Sequence, residues 1–205
     1  MKLYLVRHGE AEGSEGRAVG HLDLPLSELG ARNMEALAAS WQGTSPVRLF
    51  ASDLRRAADS ARILARRLGA EPPDPIVDAR LREVSFGEWE GRAWDEVYET
   101  DRRRYDAWSE RWWDLAPPGG ESFADLAVRV LAWFRDLRGE GDLIAVAHGG
   151  SIRALLVELL AIPRERAFDL QLSPARVSAV EIDDRGCGGR GGRALFLDRT
   201  GWHGA

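Results

Sequence analysis

The 205-residue sequence holds one cysteine, Cys187, and one lysine, Lys2. With a single thiol no intramolecular disulfide can form, which excludes a disulfide-stapled scaffold. Cys187 stands in Arg185-Gly186-Cys187-Gly188-Gly189 and reads as an incidental surface thiol. Long apolar runs are missing as well. None approaches the roughly 20 residues that span a bilayer, so no membrane is expected as a partner. Excess basic charge is also lacking: the formal net charge is −5. A general nucleic-acid binder needs a basic face to displace counterions, so no nucleic acid is expected either. The arginines are spread along the whole chain and mark a compositional bias rather than a site.

An apolar strand, Leu3-Tyr4-Leu5-Val6, begins at once and runs into Arg7-His8-Gly9-Glu10. That leaves no room for a cleavable signal, and a cytoplasmic location is expected. The length suits one α/β domain over 1–205; two full domains would be cramped. Leu3 to Val6, Val47 to Ala51 and Leu143 to Ala147 lack in-out alternation and read as buried parallel strands. Helical stripes lie between them: Met34, Leu37, Ala38 and Trp41, then Ala57, Ala61, Leu64, Ala65 and Leu68. Phe123, Leu126, Ala127, Val130, Leu131, Phe134 and Leu137 form the longest stripe, and Ser122 with Asp125 predicts its N-terminal cap. A last stripe, Ile152, Leu155, Leu156, Leu159 and Leu160, ends near Pro163.

Strands alternating with helices predict a three-layer α/β sandwich, a mostly parallel central sheet with helices on both faces. Two further strands are expected near Val177 to Ile182 and Ala194 to Leu197, joined by a mobile Gly-rich loop over 183–193. Residues 89–120, with Trp94, Trp108, Trp112 and Trp113 among many charges, break the alternation and read as a small helical insertion near the active site.

In a parallel sheet, active sites lie at the carboxyl ends of the strands. Two of the four histidines sit there, His8 after the first strand and His148 after Leu143 to Ala147. A lone histidine is more often structural, but both are followed by glycine, Gly9 and Gly149, which lets backbone N–H groups approach an anion. Arg7 adjoins His8, and Ser52-Asp53-Leu54-Arg55-Arg56-Ala57 puts guanidinium groups at another strand-to-helix junction.

Leu5-Val6-Arg7-His8-Gly9-Glu10 closely resembles the signature of the histidine phosphatase superfamily, also called phosphoglycerate-mutase-like. Four further matches follow in that family's order: Leu26-Ser27 with Gly30, Ser52-Asp53-Leu54 with Arg56-Ala57, Leu81-Arg82-Glu83 with Phe86-Gly87, and His148-Gly149-Gly150. The resemblance implies that His8 attacks phosphorus, that Arg7, Arg56 and His148 hold the phosphoryl oxygens, and that Glu83 is the proton donor. A transferring phosphoryl group spreads charge over three oxygens, so fixed cationic and N–H donors suit it. Neutral imidazole is nucleophilic and leaves readily from phosphohistidine.

Ala11, Ser14 and Ser60 depart from the family's usual threonine, asparagine and threonine. Ser14 could still give the phosphate a hydroxyl contact, and Gly149 a backbone one. Arg55 is the alternative to Arg56, but the spacing before Ala57 favours Arg56. Ser27 reads as a helix cap and Gly30 as a close-packing position. His21, in Gly20-His21-Leu22-Asp23-Leu24-Pro25, is open between substrate contact and loop packing, and His203 is expected to be exposed. The spacings match no familiar metal-ligand set and the arginines would repel a cation, so no metal or cofactor is expected.

Within the superfamily, Gly20-His21 with Asp23 and Pro25, the run Glu83 to Gly91, Trp94-Asp95-Glu96 and Pro117-Pro118-Gly119-Gly120-Glu121-Ser122 resemble α-ribazole phosphatases of cobalamin assembly. The expected partner is a small-molecule phosphate monoester. Tryptophans of the insertion could stack on an aromatic aglycone, while Trp112 and Trp113 read rather as anchors. A broad-specificity phosphatase and a phosphoglycerate mutase are the enzymatic alternatives. The short segment from Glu83 to His148 favours access of water over a mutase. A non-catalytic binding module would not need His8, Arg7, Arg56, Glu83 and His148 together. The oligomeric state is open, with a homodimer among the expected states.

Overall fold

A computed structural model describes residues 1–41, 48–68, 74–137, 141–182 and 192–202. Its central sheet runs in the order β3-β2-β4-β1-β5-β6. β1 (Lys2–Arg7) pairs in parallel with β4 (Leu143–Ala147), β4 with β2 (Arg48–Ala51), and β2 with β3 (Ile76–Val77). β5 (Val177–Ile182) is antiparallel to β1, and β6 (Gly192–Arg199) is antiparallel to β5. The sheet is mixed but mostly parallel.

Parallel neighbours need crossovers, and crossovers cover both faces with helices. β4 is accordingly buried at all five positions. On one face Val6, Leu49, Ile144 and Val146 meet α1 (Glu28–Ala39) and α2 (Arg55–Leu68). On the other, Leu3, Leu5, Leu143 and Ala145 meet α5 (Phe123–Asp136) and α6 (Gly149–Leu159). Each fully buried leucine or isoleucine contributes roughly 1.5–3 kcal/mol. The helix starts follow from their caps. Ser27 Oγ accepts from Gly30 N at 3.0 Å, and Ser122 with Asp125 forms a capping box on α5. α2 is capped from a distance, its first N–H on Arg55 donating to Asp23 Oδ1 at 2.6 Å.

Residues 94–110 carry two short helices, α3 (Trp94–Thr100) and α4 (Arg102–Glu110). They build a separate small core, where Ala18, Trp89 and Val97 are packed by Phe86, Trp94, Tyr105 and Trp108. Trp112 and Trp113 belong elsewhere, against Phe123 in the core beneath α5 and α6.

The strands depart from the sequence reading at β1, which reaches one residue further at each end, at β6 and at β3. β6 starts at Gly192 rather than Ala194, because ladder pairing of Gly192 with Ile182 sets its start, not the apolar pattern. β3 was not expected at all: it has two residues, both exposed, so it carries no periodicity. Val47, residues 183–191 with Cys187, and His203 lie outside the described residues. Among the described residues no helix is long and apolar enough to cross a membrane.

Candidate active site

Arg7 and Ala147 are register partners in adjacent parallel strands, so the residues that follow them leave the sheet side by side. His8 N donates to Ala147 O at 3.0 Å, and the His8 and His148 rings lie with centroids 4.9 Å apart. Both are buried, at 7% and 0% relative exposure. Arg56 joins them from the first turn of α2, itself only 2% exposed.

The hydrogen bonds assign a tautomer to His8. Its Nδ1 lies 2.6 Å from Gly9 O, and a carbonyl only accepts, so Nδ1 carries the proton. Nε2 therefore holds a lone pair, toward which Arg56 Nε donates at 3.2 Å. Burial first, then Arg56 and Arg7, pushes the His8 pKa down to about 3, against a partial opposing effect of the Gly9 carbonyl. The ring is neutral at physiological pH. The Gly9 backbone is fixed in turn, its N–H donating to Ser60 Oγ at 3.1 Å while Ser60 donates to Arg56 O at 2.7 Å. Serine thus makes contacts at position 60 that need only a hydroxyl.

His148 is also held well below the usual histidine range, by burial and then by His8, Arg56 and Arg7. Its backbone N–H donates to Ser151 Oγ at 3.1 Å, but neither ring nitrogen has a protein partner. Arg7 Nε is likewise buried and unpartnered, while Arg7 Nη1 donates to Leu172 O at 2.5 Å. Buried polar groups are normally satisfied, so Arg7 Nε and the one N–H of the neutral His148 ring stand out as free donors, although His148 lies behind the residues that line the cavity. Burial lowers the pKa of Arg7 and of Arg56, yet arginine starts so high that both stay cationic. Arg56 is aimed by two loop carbonyls, Nη1 to Leu22 O at 2.6 Å and Nη2 to Gly20 O at 2.7 Å. Arg55 is exposed on the far side of that turn.

Arg7, His8, Ser14, Arg56 and Glu83 line one cavity of about 220 Å³. Glu83 reaches its edge from the loop after the 3-10 turn Ala79–Leu81. The carboxylate accepts from Gly150 N at 2.9 Å, on the first turn of α6, and from Val84 N at 2.9 Å. A Cβ at Gly150 would stand 2.1 Å from Glu83 Oε1, so any other residue there would push the carboxylate aside. Gly149, at the start of α6, lies close to Arg7: a Cβ there would approach the Arg7 guanidinium to 3.6 Å. Glu10 also lines the cavity, but its carboxylate is exposed and accepts from Ser27 Oγ at 2.8 Å.

Two expected binding residues are turned to the protein. Ser14 lines the cavity, though its hydroxyl donates to Ala11 O at 2.8 Å. The His21 ring meets the main chain, Nε2 lying 2.8 Å from Glu83 O, and is not on the cavity wall. Packing in the loop is where the geometry puts this residue. Phe86, Trp94 and Pro174 also line the cavity, as does Arg17, a further cation that the sequence reading did not single out. Phe86 meets Trp94 edge-on at 5.0 Å, and Trp94 is backed by Trp108, stacked at 5.7 Å and 8°. Pro174 had no signal in the sequence; it arrives because β5 neighbours β1, with Ala175 N donating to Arg7 O and His8 O. Among the described residues no three His, Cys, Asp or Glu side chains converge as metal ligands.

Comparison with known proteins identifies the family. A model of the histidine phosphatase superfamily, branch 1, matches residues 3–190. An adenosylcobalamin/α-ribazole phosphatase of Escherichia coli K12 is 28% identical over 189 residues, covering 90% of this chain and 92% of that protein. A 2,3-bisphosphoglycerate-dependent phosphoglycerate mutase of Parvibaculum lavamentivorans is 33% identical, covering 90% of this chain and 91% of its own. The structure of a mycobacterial glucosyl-3-phosphoglycerate phosphatase superposes with a TM-score of 0.83 at 30% identity, covering 96% of this chain and 98% of that one.

Proposed function

The chain belongs to the histidine phosphatase superfamily and is a phosphatase acting on phosphate monoesters, and from that premise we propose that His8 carries the phosphoryl group through a phosphohistidine intermediate. The observation that supports this reading best is the tautomer of His8: a buried, neutral ring with its lone pair on Nε2 beside a cation. In the first step Nε2 forms a bond to phosphorus as the ester P–O bond breaks. Arg7, Arg56 and His148 hold the equatorial oxygens, and Glu83 gives its proton to the departing alcohol oxygen. In the second step water attacks phosphorus, Glu83 takes its proton, the P–N bond breaks, and inorganic phosphate leaves. Nδ1 keeps its proton throughout and donates it to Gly9 O, which supports the positive charge of the phosphorylated ring.

The substrate proposed is a small phosphate ester with an aromatic aglycone, of which α-ribazole phosphate is the example. Phe86 and the stacked Trp94–Trp108 pair support it, because a flat ring binds well on a rigid aromatic face. Hydrolysis rather than mutase chemistry is favoured by the short segment between Glu83 and His148, whose insertion holds only two helices of seven and nine residues. The proposal includes a cytoplasmic setting and no metal requirement. It is tested with an activated aryl phosphate: hydrolysis should be undiminished in excess chelator. Activity lost on chelation and restored by a divalent ion would contradict it.

A further inference from the structure

Glu83 stands on neither a helix nor a strand. The Gly150 N–H holds its carboxylate at one end, but the main chain that carries it has no helix or strand to fix it, and one side chain spans that stretch. Arg129, in the second turn of α5, donates from Nη1 to the carbonyls of Arg80 and Arg82, at 2.8 and 2.9 Å. From Nη2 it donates to the carbonyl of Glu83 and to Glu121 Oε2, both at 2.7 Å. From Nε it donates to Glu121 Oε1 at 2.7 Å. A guanidinium has five N–H groups in a fixed fork, and here each has an acceptor. Glu121 is tied to the same loop, its backbone N–H donating to Ser85 O at 2.9 Å. Arg129 is not among the residues that line the cavity.

We propose that Arg129, oriented by Glu121, is a positioning residue for the proton donor: it fixes the main chain from 80 to 83 so that the Glu83 carboxyl points to the leaving oxygen. The inference rests on the reading of Glu83 as general acid. Three carbonyls converge on this one side chain at the exit of the 3-10 turn, the Glu83 carbonyl also lying 2.8 Å from His21 Nε2, so the guanidinium replaces most of the missing ladder. Misplacement of a reacting group by about 1 Å can cost on the order of 10²-fold in rate. That loss should fall only on reactions that need the proton. A lysine offers one compact ammonium and cannot fill five directions.

The test is single-turnover phosphoenzyme formation from an alkyl and an aryl phosphate, in wild type, Arg129→Ala, Arg129→Lys, Glu83→Gln and the double variant Arg129→Ala/Glu83→Gln. Arg129→Ala should slow the alkyl ester by about 10–100-fold and the aryl ester by less than about 3-fold. Arg129→Lys should recover little of the loss. With Glu83→Gln already present, Arg129→Ala should add nothing. Glu121→Gln, which keeps the guanidinium and its three carbonyls, should show the same pattern at smaller size and serves if the alanine variant does not fold. Equal slowing of both esters by Arg129→Ala and Glu121→Gln, or additive losses in the double variant, would overturn the positioning role while leaving Glu83 as the acid. Equal slowing of both esters by Glu83→Gln alone would instead remove the acid role, and the positioning role with it.

Discussion

Arg56 Nε donates to His8 Nε2 across 3.2 Å, so the cation and the lone pair of the imidazole share one buried contact. Burial first, and then this contact, keep the ring unprotonated, because a bare imidazolium beside Arg56 and out of water is disfavoured.

A pH dependence of stability follows. In the unfolded chain His8 and His148 titrate near pH 6.5, while in the fold both stay neutral well below that, His8 to about 3. Between these values the unfolded chain binds protons that the native chain does not. Stability therefore falls as pH drops below 6.5, by up to about 1.4 kcal/mol per unit for each ring. Depressed carboxylates such as Asp53 and Asp78 add their own loss only nearer pH 4 and below. Urea midpoints measured from pH 7 to 5 should decline, and His148→Gln should flatten the decline by about one proton. A midpoint constant over that range would contradict the buried neutral pair.

The aromatic wall sets a specificity prediction. Trp94→Ala should lower kcat/KM for α-ribazole phosphate about tenfold and change 3-phosphoglycerate less than about threefold. A tenfold effect needs only about 1.4 kcal/mol, within reach of one aromatic contact. Trp112 is the control. Its ring packs on Phe123 at 4.9 Å and Phe168 at 4.6 Å, so Trp112→Ala should lower the melting temperature and leave the substrate ratio unchanged. Equal losses on both substrates in Trp94→Ala would leave a broad-specificity phosphatase.

What the sequence discloses of this site is set by where each signal resides. His8 and His148 were legible because each follows an apolar strand and precedes glycine, and β1 and β4 are indeed neighbours. The choice of Arg56 over Arg55 followed from spacing, and the fold turns Arg56 inward. Arg129 was not legible. Its partners are mostly carbonyls, which every residue has, so no residue type at any spacing announces them. His21 stayed open for the same reason, since its ring meets the Glu83 carbonyl. β3 escaped notice because two exposed residues carry no pattern, and Pro174 because only the pairing of β5 with β1 brings it to the cavity.

The central claim is that the phosphoryl group passes through His8, and the direct measurement is rapid quench of the wild-type enzyme with labelled substrate. Attack by Nε2 leaves a phosphoramidate, so the protein-bound label should be acid-labile and base-stable, should map to the peptide that contains His8, and should be absent from His8→Ala. Label that survives acid, or that maps to a serine or an aspartate, would contradict the account.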